Sequence, residues 1–386
     1  MTPGARIQAA IEILDQILKG DAAEKALSNW ARSSRYAGSK DRAAVRDHVF
    51  SAIRRKRSSA AIGGGMTGRA IMMGKLRQQD IDPAELFDGV GHAPAPLSVE
   101  EQAMHRPESK AEALDLPDWI LTELDASLGD QAEQVAQALR SRAPVFVRVN
   151  LSRGTVDDAI ATLQEDMIKA VPHPLAPSAL EIVENPRRLN SSRAYETGVV
   201  ELQDVASQAV VTSIPIRKDM KILDFCAGGG GKALALADLS RGPVEVHDID
   251  VNRMKDIPLR AARAGADITL LPSGGPFRAP YDLVLCDVPC SGSGAWRRAP
   301  EGKWSLTPDR LAQLCDLQQD ILAKAAALVG KGGMLAYATC SVFQQENSCA
   351  VARFLQRHPD WSCSFERQFL PADGGDGFYT AHLTQD

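Results

Sequence analysis

Apolar side chains recur at helical spacing from the beginning of the chain. Ile7, Ala10, Ile11, Ile13, Leu14, Ile17 and Leu18 fall on one face, and Gly20 follows as a stop. The pattern predicts a helix over residues 4–19. A second helix is expected over residues 22–31, carrying Ala26, Leu27 and Trp30, and a third from about Lys40 through Val45, Val49 and Ile53. Helical patterning continues to about residue 140, broken by Gly63-Gly64-Gly65 and by the proline-rich stretch at Pro94 and Pro96. Residues 1–140 therefore read as an all-helical module with connecting helices.

The period changes at Val145. Val145-Phe146-Val147-Arg148-Val149-Asn150 reads as a strand, a helix is predicted over 155–165, and strand-like pieces follow at 168–171 and 180–183. Residues 141–204 form a small α+β domain on this reading. Beyond residue 205 strands and helices alternate. Strands are expected at 221–225, 244–247, 268–271, 283–286 and 334–338, with helices notably at 307–329 and 346–357. Alternation of this kind predicts an α/β domain over 205–386, with a mainly parallel sheet covered on both faces.

Composition narrows the class. The 386 residues are 44% hydrophobic and 24% charged, an ordinary globular balance with room for two or three domains. No apolar run approaches the ~20 residues of a membrane span. The first residues carry charges where a signal peptide needs an apolar stretch, and the seven cysteines resemble no disulfide framework. A cytoplasmic protein is expected. The net charge is −5, but the first sixty residues hold about twice as many basic as acidic side chains, including the run Arg54, Arg55, Lys56 and Arg57. That run reads either as a solvated helix face or as a local surface for phosphates.

Four segments carry candidate chemistry. In Ile222-Leu223-Asp224-Phe225-Cys226-Ala227-Gly228-Gly229-Gly230-Gly231-Lys232 an apolar strand runs into a glycine loop and then a helix. Glycines let a ligand approach the backbone, and the helix N-terminus favours polar or anionic groups. Gly228, Gly230 and Ala233 also fit the dinucleotide pattern, whereas a phosphate-binding P-loop is disfavoured because Ala233 follows Lys232. Val244-Glu245-Val246-His247-Asp248-Ile249-Asp250 places an acid, Asp248 or Asp250, where it can accept from ribose hydroxyls.

The third segment, Asp282-Leu283-Val284-Leu285-Cys286-Asp287-Val288-Pro289-Cys290-Ser291-Gly292, sets an acid, a proline and a cysteine just past a strand. The fourth, Tyr337-Ala338-Thr339-Cys340-Ser341, does the same for a second cysteine. In an open parallel sheet both thiols emerge at the carboxyl edge, where ligands bind. One buried cysteine is ordinary core; two at strand ends are not. Cys286 and Cys290 have no second pair at zinc-site spacing, so no metal is expected.

These segments resemble the Sun/RsmB family of RNA cytosine-5 methyltransferases. The match covers about the last 190 residues and includes Arg297-Arg298-x-Pro300, Lys303-Trp304, Glu346-Asn347, Gln203-Asp204 and the closing Asp376-Gly377-Phe378-Tyr379. The helical region resembles, more weakly, the NusB-like RNA-binding domain of some members. The resemblance implies a Rossmann-like class I methyltransferase domain, S-adenosylmethionine as cofactor, and RNA, of the small ribosomal subunit, as partner of a monomeric enzyme.

By the resemblance, Cys340 is the nucleophile, Cys290 assists product release, and Asp287 and Lys232 orient the base. The cofactor meets Cys226, Ala227, Gly228, Gly229, Gly230, Gly231, Lys232, Asp248, Asp250 and Asp287. Arg297, Arg298 and Lys303 join Arg54, Arg55, Lys56 and Arg57 as candidate phosphate contacts. Two departures stand out: Gly228-Gly229 replace the family's Ala-Pro, and Leu271-Pro272-Ser273-Gly274-Gly275 lacks the acid that contacts the adenine amine. Two alternatives remain open. A nicotinamide oxidoreductase explains the glycine loop but leaves both cysteines idle. A catalytically weakened ribosome-assembly factor explains the departures.

Overall fold

The computed structural model describes residues 1–385. The chain divides into two compact units, one of residues 1–142 with 296–305, the other of residues 143–295 with 306–386.

The first unit is helical. Its main helices are Pro3–Leu18, Ala23–Ser33, Ser39–Arg54, Lys56–Gly63 and Gly68–Arg77. Thr2 caps the first by accepting from Ala5 N–H, and Pro3 at its first turn has no N–H to leave unmet. The predicted stripe is the core: Ile7, Ile13 and Leu14 pack with Val45, Val49, Ile53, Ile71 and Met72. At Gly64, in left-handed geometry with φ +84°, the Lys56–Gly63 helix stops. Among the described residues no helix is long and apolar enough to cross a membrane.

The second unit holds two sheets. Strands β1 (Val145–Val149), β2 (Lys169–Pro172), β3 (Ala179–Glu184) and β4 (Val200–Leu202) form an antiparallel sheet in the order β2-β3-β1-β4. The larger sheet contains β5 (Ile222–Asp224), β6 (Val244–Val246), β7 (Ile268–Leu270), β8 (Tyr281–Asp287), β9 (Val329–Thr339), β10 (Trp361–Phe369) and β11 (Phe378–Gln385). Their order is β10-β11-β9-β8-β5-β6-β7. The five strands from β9 to β7 are parallel, and β11 and β10 add antiparallel edges. This is the Rossmann-like α/β class expected from the alternation. β4, β10 and β11 are additions to the strands read from the pattern. β4 is three residues long, and β10 is an edge strand whose middle residues are exposed, so neither shows a clear apolar pattern.

Chain order fixes where a ligand belongs. The chain builds outward from β5 through β6 and β7, then returns to lay β8 on the other side of β5. The crevice at that reversal, beyond the carboxyl ends of β5 and β8, is where open α/β sheets bind ligands. A buried pair, Arg148 with Asp238 at 3.1 Å, ties the small sheet to the helix Gly231–Ser240 that follows the glycine loop.

Candidate active site

The site assembles at the ends of β5, β6, β8 and β9. After β5 the backbone turns through Gly228 and Gly230, with φ of +51° and +79°. At Gly230 a Cβ would stand 2.8 Å from Ile257, so glycine is required twice over, by conformation and by space. Gly228 N–H donates to Asp248 at 2.9 Å. Asp248 lies 2% exposed beneath the loop, accepts from Asp250 N–H at 3.0 Å, and pairs with Arg253 at 3.2 Å. Asp250 is exposed and accepts from the backbone and side chain of Asn252. The structure thus separates two acids that the sequence left equivalent.

Lys232, on the helix after the loop, reaches Asp287 at the end of β8, at 2.7 Å, and lies 4.7 Å over the Phe378 ring. Burial opposes the lysine charge, but Asp287 and, more weakly, Cys340 and Asp224 outweigh it and hold the pKa above the ordinary value. Asp224 is 1% exposed, and neither carboxylate oxygen has a hydrogen-bond partner among the described residues. Burial, reinforced by Asp287, pushes it up to about 7 against the pull of Lys232.

The two predicted cysteines meet. Cys290 Sγ and Cys340 Sγ are 3.3 Å apart, though fifty residues separate them in sequence. The parallel pairing of β8 with β9 closes that distance, because it brings both strand ends to one edge. The hydrogen bond to Cys340, together with burial, raises Cys290 well above a normal thiol. Both thiols are half-buried. Cys226, raised by burial, lines the loop, while Cys286 is fully interior.

Glu346 anchors both cysteine loops. It is fully buried, accepts from Ser291 N–H at 2.8 Å and from the hydroxyls of Ser291 and Ser341 at 2.5 Å, and is held by Gln318 at 3.1 Å. A backbone bond also joins the two loops, Gly294 N–H donating to Cys340 O at 3.0 Å. In the sequence Glu346 was visible only as part of a family motif; its role as a tether required the fold.

The seven expected phosphate contacts belong to the helical unit, and three of them are buried. Arg54 is 9%, Arg297 4% and Lys303 0% exposed. Arg54 Nε donates to Arg297 O at 2.6 Å, and Lys303 Nζ donates to Arg54 O at 2.8 Å. Burial, with repulsion from Arg142, lowers Arg54 to about 10. Lys56 sits 4.2 Å over the Trp304 ring, Trp304 donates to Ile53 O at 2.9 Å, and Arg57 binds Leu116 O and Asp118, both at 2.7 Å. Arg55 is half-buried, with no partner for Nε among the described residues. Burial therefore removes Arg54, Arg297 and Lys303 from the expected phosphate surface, and they brace residues 296–305 against the helices instead. Arg298 is exposed. A run of basic letters cannot say which side chains face inward.

Two family descriptions match the chain: "16S rRNA methyltransferase RsmB/F" over residues 211–384, and the ferredoxin-like domain of the same proteins over residues 116–188. The chain belongs to the RsmB/F methyltransferase family. It is 32% identical over 286 residues to ribosomal RNA small subunit methyltransferase B of Photorhabdus laumondii, covering 70% of this chain and 66% of that protein. The Escherichia coli protein of the same name is 33% identical over 282 residues, covering 69% and 66%. The matched region thus spans just under two thirds of the length of these relatives. Among solved structures, PH0851 superposes over 100% of this chain and 99% of its own, with a TM-score of 0.77 at 22% identity. A methyltransferase homologue from Pyrococcus horikoshii covers 72% and 98%, with a TM-score of 0.64 at 23% identity.

The RsmB/F family depends on S-adenosylmethionine, and the residues present fit that cofactor. The glycine loop turns over Asp248, which takes the Gly228 N–H, and Asp224 offers two oxygens with no hydrogen-bond partner among the described residues. At the adenine end the departure stands. The loop after β7 offers no acid, and Ser273 there donates to Ile249 O at 3.3 Å.

Proposed function

We propose that this protein methylates carbon 5 of a cytosine in RNA of the small ribosomal subunit, through a covalent adduct with Cys340. The observation that carries the reading is the cysteine pair at 3.3 Å beside the Lys232–Asp287 pair, all at the carboxyl edge next to the glycine loop.

Carbon 5 of cytosine is a weak nucleophile. When bound, S-adenosylmethionine supplies an electrophilic methyl group. Cys340, as thiolate, adds to carbon 6 of the base, and the ring electrons shift so that carbon 5 becomes enamine-like and takes the methyl group. Asp287 hydrogen-bonds the base at its ring nitrogen and amine edge and steadies the charge that develops there. Lys232 holds Asp287 in place. Loss of the carbon 5 proton to solvent water then restores the ring double bond and expels the Cys340 thiolate, and the Cys290 thiol assists by donating a hydrogen bond to the departing sulfur. The 3.3 Å contact and the raised pKa of Cys290 support this division, since a thiol that keeps its proton can donate to the Cys340 thiolate. A base stacked in a duplex is out of reach, so an unpaired or flipped cytosine is the substrate.

Cys340→Ala abolishes methylation and any covalent RNA complex. Cys290→Ala slows release, and a protein–RNA adduct accumulates on a denaturing gel. Reversed phenotypes would overturn the assignment. Bisulfite sequencing of total RNA with and without the gene identifies the cytosine.

A further inference from the structure

The cofactor loop consists of four consecutive glycines, residues 228–231, the least constrained backbone available. Left free, such a segment loses much conformational entropy on binding a ligand. In this structure it is held from three sides. Asp248 takes the Gly228 N–H, and Ile257, fully buried, fills the space beneath Gly230. The third hold is Arg260, one turn beyond Ile257 on the same helix, Ile257–Ala264.

Arg260 Nη1 donates to the Gly229 carbonyl, and its Nη2 reaches Glu201 on β4 at 3.3 Å. The guanidinium also fills the space beside the loop. A Cβ on Gly229 would come 3.2 Å from Nη1, and one on Gly231 3.8 Å from Nη2. Glu201 is 4% exposed and is fixed independently by Arg263 at 2.7 Å, which in turn stacks 4.0 Å over Tyr195. Glu201 therefore keeps a cation without Arg260. The Arg260 contacts lead to the loop, and removing them leaves no unpaired buried charge behind.

We propose that Arg260 is a positioning residue for the cofactor, clamping the glycine loop in its binding shape while Glu201 fixes the guanidinium. The proposal rests on the cofactor reading given above. It makes one unusual demand. If the role of Arg260 is to restrict the loop, a covalent restriction can replace it. Gly229 has its φ outside the left-handed region, so an alanine there meets no backbone strain. Its Cβ would crowd Arg260, but not an alanine at 260.

The test uses the full chain with S-adenosylhomocysteine as probe, followed by calorimetry, and amide hydrogen exchange without any ligand. Arg260→Ala is expected to speed exchange at residues 228–231 and to raise the Kd about tenfold, the size of one lost charge-assisted hydrogen bond. Its melting temperature stays that of the wild type. Adding Gly229→Ala to Arg260→Ala should bring the Kd back to within about threefold of wild type, by lowering the entropy of the free loop. Gly229→Ala alone should not improve binding. Arg260→Lys, which keeps a charge beside Glu201, gives the same direction at smaller size and serves where the alanine variant does not fold. Unchanged exchange and Kd in the Arg260 variants would overturn the clamp, as would a double variant no better than Arg260→Ala. Faster loop exchange in Arg260→Ala, in a protein whose wild type takes up no S-adenosylhomocysteine, would keep the clamp and sink the cofactor reading.

Discussion

Lys232 and Lys303 are both interior lysines, 7% and 0% exposed, and their neighbours drive them in opposite electrical directions. Lys232 faces a carboxylate at 2.7 Å, and its pKa stands above the ordinary value. Lys303 faces a backbone carbonyl at 2.8 Å, and burial lowers it to about 7, with Asp115 opposing and Arg140, Lys56 and Arg54 adding repulsion. Burial penalises both charges. A carboxylate offsets the penalty, and a single carbonyl dipole does not. The first arrangement keeps a fixed cation at the proposed reacting centre. The second ties the residues 296–305 segment to a helix end.

The largest effect expected from this contrast is on activity. Lys232→Met leaves Asp287 without its partner, and single-turnover methylation of RNA should fall by about 10³-fold, the scale of losing a preorganised charge. Lys303→Met should change the same rate by no more than about threefold, because it removes no group at the reacting centre. Equal losses would break the contrast.

The next concerns pH and stability. In the unfolded chain Lys303 has its ordinary pKa of 10.5, and in the folded protein about 7. Between those values the unfolded chain binds the extra proton, so the contribution of Lys303 to stability rises with pH. Its full penalty is present below pH 7 and is gone above 10.5. Urea titrations of wild type and Lys303→Met should therefore favour the variant near pH 7 by an amount on the order of 3 kcal/mol, and converge toward pH 10. A gap that does not vary with pH would mean that Lys303 is not charge-stressed.

Asp248 sharpens the picture at the other end of the site. Asp248→Ala strands Gly228 N–H and should weaken S-adenosylhomocysteine binding by about 1–3 kcal/mol in calorimetry. Asp250→Ala, which loses only a turn cap, should leave the affinity nearly unchanged. The smallest effect is on RNA. Arg298→Ala should lower the salt slope of RNA binding by about one counterion in filter titrations, whereas Lys303→Met should leave the slope unchanged. An equal change in both slopes would return Lys303 to the phosphate surface.

What the sequence determined by itself is local. Ile7 to Leu18 on one face, the apolar runs ending in Asp224, Asp287 and Thr339, and the glycine loop all depend on neighbours a few residues away, and periodicity reports such neighbours directly. Those runs also placed Asp287, Cys290 and Cys340 at strand ends and Lys232 on the helix after the glycine loop, because a strand that enters a glycine or proline-containing loop has little else to become. What only the tertiary structure decided is which side chains face one another. It brought the thiols to 3.3 Å through the pairing of β8 with β9. It put Asp248 beneath the glycine loop and left Asp250 exposed, tethered both cysteine loops to Glu346, and turned Arg54, Arg297 and Lys303 inward. A charge carries no local signature of burial: the same lysine is soluble surface or stressed interior according to contacts made by residues hundreds of positions away, as Lys303 is by Arg54. Such pairings are set by packing, and packing is not a property of any short stretch of chain.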